Sequence, residues 1–210
     1  MIEYASGGET GQGYLAGEGG QGPAVLVIQE WWGLVPHIKD VCDRFAAQGF
    51  VALAPDLYRG RAAKEPDEAA KMMMAMKLDE AAADMSAALD ELLRRTGRAK
   101  AGVTGFCMGG GLALVLAAKR PDAIAAAVPF YGTPFPDLDL AAITAAVQGH
   151  YAEHDDFAGP KVARELEDTL RANGRTAEFF VYPGTHTPSS TTPGPRCTPR
   201  RRPRWPLTAR

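Results

Sequence analysis

The 210-residue chain predicts an α/β fold, a mostly parallel sheet with helices on both faces. Three observations carry that expectation. Continuous apolar runs without helical period, such as AVLVIQ (Ala24 to Gln29), have the pattern of strands buried on both faces. Amphipathic helical segments alternate with these runs, as crossover connections between parallel strands require. Residues 102 to 111 read GVTGFCMGGG, a strand running into a small-residue helix start with Cys107 at the corner.

Element by element, Ala24 to Gln29 opens the series. Pro36 to Gln48 follows as an amphipathic helix, with Ile38, Val41, Cys42 and Phe45 on one face and Gly49 as its stop. Phe50 to Leu57 is a second buried strand. One long helical stretch is expected from Asp67 to Arg95, entered after Pro66. AGVTGF (Ala101 to Phe106) is the third strand, and the helix from about Met108 ends before Pro121. Ala123 to Gly132 and Ala145 to Glu153 supply the fourth and fifth strands, Pro160 to Ala172 a helix, and Ala177 to Pro183 the sixth strand.

Composition narrows the function classes. At 46% hydrophobic and 23% charged, with a net charge of −2, the chain reads as one globular domain without a basic nucleic-acid-binding face. No apolar run approaches the roughly 20 residues that span a bilayer, so no membrane partner is expected. The N-terminal segment MIEYASGGETGQGY has no basic and apolar leader pattern. Cys42, Cys107 and Cys197 offer neither a disulfide framework nor a metal-binding spacing, which favours a reducing cytoplasm with no metal and no cofactor.

The corner carries the chemistry. GFCMG (Gly105 to Gly109) has the small-x-nucleophile-x-small form of a nucleophile elbow, a turn too tight for larger side chains beside it. A thiol at a helix N-terminus also meets unpaired N–H groups and the positive end of the helix dipole. A nucleophile needs an acid and a histidine downstream, each beyond a strand end. AEHDDF (Ala152 to Phe157) offers Glu153, Asp155 and Asp156, and the only later histidine is His186 in YPGTHT. Glu30 closes the first buried strand in IQEWWGL, where an unpaired carboxylate is costly.

Taken together, IQEWWGL, GFCMGG, APDLY, PFYG, AEHDDF and VYPGTH resemble the dienelactone hydrolase family of the α/β-hydrolase superfamily. The resemblance covers nearly all of residues 10 to 186 and implies an α/β-hydrolase fold. It implies Cys107 as nucleophile, Asp155 rather than Asp156 as the acid, His186 as the histidine, and Glu30 as a carboxylate that contacts the resting thiol. Backbone N–H groups of Trp31 and Met108 would form the oxyanion hole, and Trp32, Tyr58, Arg59 and Tyr131 would contact a small lactone or ester. The alternative is a catalytically inactive hydrolase-fold protein that binds a small molecule.

The pattern departs from the family at two places. The helix after APDLY reads DEAAKMMMAMKLDE, with Lys71 and Lys77 but no substrate-holding arginine, and Thr187, Pro188 and Ser189 follow His186. Residues 187 to 210 hold six Arg, six Pro and no acid, whereas the first 186 residues carry 17 Lys and Arg against 25 acids, a net of −8. Thr187 to Thr198 can be written in codons that, regrouped by one base after a CAC codon, read His-Ala-Phe-Phe-Asn-Asp-Thr-Arg-Pro-Glu-Val-Tyr, similar to the family after its last strand. The expectation is a hydrolase domain over 1–186 and a disordered, out-of-frame basic tail over 187–210 in place of the closing helix; the alternative is a genuine basic tail that binds nucleic acid. In the family's Gly-x-x-His pattern the histidine belongs at position 187, so His186 stands one residue early.

Overall fold

In the computed structural model, which describes residues 1–187, eight strands form one sheet in the order β1-β2-β4-β3-β5-β6-β7-β8. The elements are β1 (Ile2–Ser6), β2 (Glu9–Ala16), β3 (Ala24–Ile28), α1 (Pro36–Ala47), β4 (Val51–Pro55), α2 (Pro66–Ala75), α3 (Leu78–Thr96), β5 (Ala101–Phe106), α4 (Met108–Lys119), β6 (Ile124–Phe130), β7 (Ala146–His154), α5 (Pro160–Ala172) and β8 (Ala177–His186). Strands β3 to β8 run parallel to their neighbours, while β1 and β2 add an antiparallel border against β4. All six expected strands and the mostly parallel sheet are present.

Burial explains the layering. Leu26, Ile28, Leu53, Val103 and Ile124 face α3, α4 and α5, which bring Met85, Leu89, Leu112, Leu116 and Leu166. Val25, Val27, Ala52 and Ala54 face α1 through Ile38, Val41 and Cys42. Helix α4 is buried from Met108 to Ala117, so it is apolar all round and anchors the corner that precedes it. At the far end, rings step across neighbouring strands on one face. Phe106 stacks on Phe130 at 4.9 Å, Phe130 on His150 at 4.6 Å and His150 on Phe180 at 5.5 Å between centroids.

Three details differ from the sequence expectation. β1 and β2 were not predicted: β2 is glycine-rich, but the Tyr4 ring of β1 lies over Gly11 and supplies the missing packing. The helix expected over Asp67 to Arg95 breaks at Met76 and Lys77, where Met76 is extended at φ −70°, ψ 125°. No proline or glycine sits there; Met72, Met76 and Leu78 all pack on the core, and tertiary packing overrides helix propensity. β8 continues through Pro183 to His186, which an edge strand tolerates. The tail was expected over 187–210; from position 188 on it lies, with the closing helix, outside the described residues.

Candidate active site

Parallel strands deliver their carboxyl ends to one rim, and β3, β4, β5, β6 and β7 are followed there by Glu30, Tyr58, Cys107, Tyr131 and Asp155. Ile28 pairs with Gly105, so Glu30 and Cys107 emerge side by side two residues later. Phe106 pairs with Phe130, so Tyr131 emerges on the other side of the thiol.

Cys107 is the N-cap of α4 and stands at φ 54°, ψ −120°, a conformation that L-residues avoid and that active sites retain. The glycines around it permit this: a Cβ on Gly105 would meet the Gly109 carbonyl oxygen, and one on Gly110 would come within 2.9 Å of Gly132 Cα. The Cys107 N–H donates to the Phe130 carbonyl at 3.0 Å, which ties the corner to β6. The thiol is exposed, yet the protein around its sulfur desolvates it and raises its pKa. The Met108 N–H opposes that effect, and the Glu30 and Asp155 carboxylates add to it. The resting thiol is therefore held protonated, with a donor already aimed at its sulfur.

Glu30 is half-buried and accepts a hydrogen bond from the Tyr131 hydroxyl at 3.2 Å. Burial raises its carboxyl, while His37 and Tyr131 hold it down. Tyr131 is itself strained, at φ 40°, with its N–H donating to the His150 carbonyl at 2.8 Å. Trp31 and Trp32 meet edge to face at 5.3 Å beside Glu30 in the chain. Tyr58 is buried and its hydroxyl donates to Met108 Sδ at 3.6 Å, so the residue after β4 braces the residue after the nucleophile.

Asp155 is half-buried, and its Oδ1 accepts from the Phe157 and Ala158 N–H groups at 2.8 and 2.7 Å. Burial acts to raise its pKa, but Thr187 and these two N–H groups outweigh it and hold the carboxyl below its usual range. The Thr187 hydroxyl is an electrostatic neighbour of Asp155 without closing a well-formed hydrogen bond; its Oγ1 is buried and finds no geometric partner among the described residues.

His186 goes elsewhere. It pairs in register with His154, and the two rings lie 4.6 Å apart. The structure thus brings Cys107, Glu30, Tyr131 and Asp155 together, with Thr187 an electrostatic neighbour of Asp155, and His186 and Thr187 line one pocket with Tyr131 and His150. Arg59, expected to touch substrate, is engaged by Glu9 and Asp84. It is Arg61 whose charge reaches Tyr58, countering the burial that pushes this phenol up to about 12. His37 precedes the nucleophile in the chain, and the WWGLVP turn returns it to the same rim, beside Glu30.

A strained residue between a central parallel strand and a buried helix, with a carboxylate beyond a later strand, defines an α/β-hydrolase. The chain matches the family model of the dienelactone hydrolase family over residues 12–189, and it belongs to that family. "Protein usf" of Aquifex pyrophilus is 41% identical over 196 residues, covering 89% of this chain and 85% of that protein. A "Putative carboxymethylenebutenolidase" of Aquifex aeolicus is 38% identical with the same coverage. Among solved structures, a "Putative Dienelactone Hydrolase" from Klebsiella pneumoniae superposes with a TM-score of 0.77 at 29% identity, covering 87% of this chain and 85% of that one. The family is one of hydrolases acting on esters and lactones. Among the described residues no helix is long and apolar enough to cross a membrane.

Proposed function

We propose that this chain opens lactones or activated esters by attack of the Cys107 thiolate. The observation that carries the reading is Cys107 at positive φ on the N-terminus of a buried helix, with the Met108 N–H on its sulfur and Glu30 beside it. Glu30 keeps the resting thiol neutral, which protects it from oxidation; substrate binding redirects the carboxylate, which takes the thiol proton and leaves a thiolate. The sulfur adds to the carbonyl, the N–H groups of Met108 and Trp31 hold the oxyanion, and the carbon–oxygen bond breaks to leave a thioester on Cys107. An enol or aryl leaving group departs without strong acid assistance, so a thiolate suffices for this half of the reaction.

The second half, hydrolysis of the thioester, needs a base oriented by Asp155. His186 faces His154, and Thr187 faces Asp155, which supports acylation outpacing deacylation. The relatives' names point to a lactone bearing a carboxylate, and Arg61, hydrogen-bonded to the Tyr58 carbonyl at 3.4 Å, is the cation that suits such a group. A second reading, a small-molecule binding module, is favoured by the same threonine facing Asp155. Hydrolysis of a panel of lactones and aryl esters by the native chain and by Cys107→Ala separates the two. Turnover, or one leaving group released per chain, lost in Cys107→Ala supports the hydrolase; binding without release supports the module.

A further inference from the structure

The backbone at Tyr131 is strained for a reason that substrate contact alone does not give. Its φ of 40° suits glycine, yet the chain places a large side chain there. Neighbours on both sides hold it. The Tyr131 N–H donates to the His150 carbonyl at 2.8 Å, and the carbonyl of Phe130 before it accepts from the Cys107 N–H at 3.0 Å. Gly132 after it is wedged on the first turn of α4: a Cβ there would lie 2.4 Å from the Gly110 carbonyl carbon and 2.5 Å from the Gly111 nitrogen. The Gly132 carbonyl in turn accepts from the buried Tyr151 hydroxyl at 2.7 Å. What this fixed turn aims is one hydroxyl. β5 lies between β3 and β6, so Glu30, Cys107 and Tyr131 leave adjacent strands with the thiol in the middle. The Tyr131 hydroxyl reaches across the middle strand and donates to Glu30 Oε1 at 3.2 Å.

We infer that Tyr131 is the latch of the resting site, a positioning residue whose hydroxyl holds the Glu30 carboxylate charged and in place until substrate draws that hydroxyl away. The inference rests on the reading that Cys107 is the nucleophile and that Glu30 takes its proton. A carboxylate accepts a phenolic hydrogen bond more strongly than a carboxylic acid does, so Glu30 gains a proton only by weakening this bond. While the bond stands, the proton stays on sulfur. His37 from α1 also favours the charged carboxylate, and Asp155 beyond β7 also disfavours the thiolate, so both act in the same direction as the latch. An ester or lactone seated over the thiol offers its own oxygens to the hydroxyl. Once Tyr131 donates to one of them, the Cys107 S–H bond breaks and its proton joins a Glu30 oxygen. The electron pair left on sulfur then attacks the carbonyl. Tyr131 thereby couples release of the nucleophile to the presence of a substrate that carries a hydrogen-bond acceptor.

The test compares alkylation of Cys107 by iodoacetamide with the nitrophenol burst from para-nitrophenyl acetate, both in the full chain. Tyr131→Phe keeps the ring and removes the hydroxyl. At 3.2 Å the bond is at the weak end of those made to a charged group, so its loss should speed alkylation at neutral pH about tenfold. The pH profile of alkylation should move to lower pH. The same change made in Glu30→Gln should add nothing, because the latch acts through that carboxylate. The burst rate should not rise with alkylation, since the ester opens the latch of the native chain by itself. A fluorotyrosine at position 131, a stronger donor of nearly the same size, should slow alkylation, and this arm stands even where Tyr131→Phe fails to fold. An alkylation profile unmoved by both replacements would overturn the inference. So would an equal acceleration in the Glu30→Gln chain, which marks a loosened site, and so would a burst that rises in step with alkylation. A burst that persists in Cys107→Ala defeats the Cys107 reading itself; an intact burst with unmoved alkylation defeats the latch alone.

Discussion

Replacing Gly109 with alanine would place a Cβ 2.4 Å from the Gln29 carbonyl oxygen and 2.5 Å from that of Ile28. Both are backbone atoms at the end of a fully buried central strand, so neither can swing aside. Even the 3.0 Å limit of real contacts demands that α4 and β3 separate by about 0.6 Å at this point. Overpacking of this kind costs about 1–3 kcal/mol, and backbone on both sides argues for about 3. Alanine in place of glycine within a helix returns up to about 1 kcal/mol, leaving a net loss of about 2. At about 2–4 °C per kcal/mol for a chain of this size, Tm should fall by about 4–8 °C. The shift acts where the Met108 N–H and the Cys107 sulfur are set. A 1 Å misplacement can cost on the order of 10²-fold, so acylation should slow by about tenfold or more. Thermal melts and the nitrophenol burst rate measure the two effects. Gly174→Ala is the control: its positive φ also strains alanine, by about 1–2 kcal/mol, but it faces open space far from the corner and should leave the burst rate unchanged. A Gly109→Ala chain with native Tm and native burst rate would refute the claim that close helix–strand approach sets the nucleophile.

Glu30→Gln removes a negative charge that raises the Cys107 thiol, so the pH profile of its alkylation by iodoacetamide should move to lower pH; an unmoved profile would make Glu30 structural only. The Asp155 carboxyl is held low in the fold, so its stabilisation is present above the unfolded-state value and lost as pH falls through the folded one. Asp155→Asn should therefore melt below the native chain at neutral pH and converge with it in acid; curves that stay apart in acid would refute the linkage. Arg59 pairs with Glu9 and Asp84 at an exposed site, so Arg59→Ala should cost no more than about 1 kcal/mol and leave KM unchanged. Arg61→Ala should raise KM for carboxylate-bearing esters without affecting neutral ones, and equal effects on both would exclude Arg61 from substrate recognition.

The parallel core was legible because its strands are continuous apolar runs separated by proline- and glycine-bounded helices, and the corner because strand, nucleophile and glycines are contiguous. Residues distant in sequence met by register alone: Glu30, Cys107 and Tyr131 come from adjacent strands, and their order in the sheet, not their spacing in the chain, makes them neighbours. β1 and β2 were illegible because their packing comes from one tyrosine laid over a glycine across the hairpin, which leaves no periodic signal. The break at Met76 was hidden for the opposite reason: every residue around it favours helix, and only packing of Met72, Met76 and Leu78 ends it. The carboxylates that engage Arg59 from β2 and α3 were not legible, because an arginine's place in the sequence says nothing of partners brought by other elements. The place of His186 is set by register in the same way: it pairs with His154 at the end of β7, a neighbour that spacing in the chain does not show.

Intact-protein mass spectrometry after brief exposure to an aryl ester, followed by peptide mapping, tests the central claim most directly. The chain offers an internal comparison, because Cys42 is fully buried with its thiol pushed up to about 12, whereas Cys107 is exposed on the rim. The account predicts a single acyl group on Cys107, persisting because Thr187 rather than an imidazole faces Asp155, and absent from Cys107→Ala. An acyl group carried by Cys42, a serine or a lysine, with Cys107 unmodified, would contradict it.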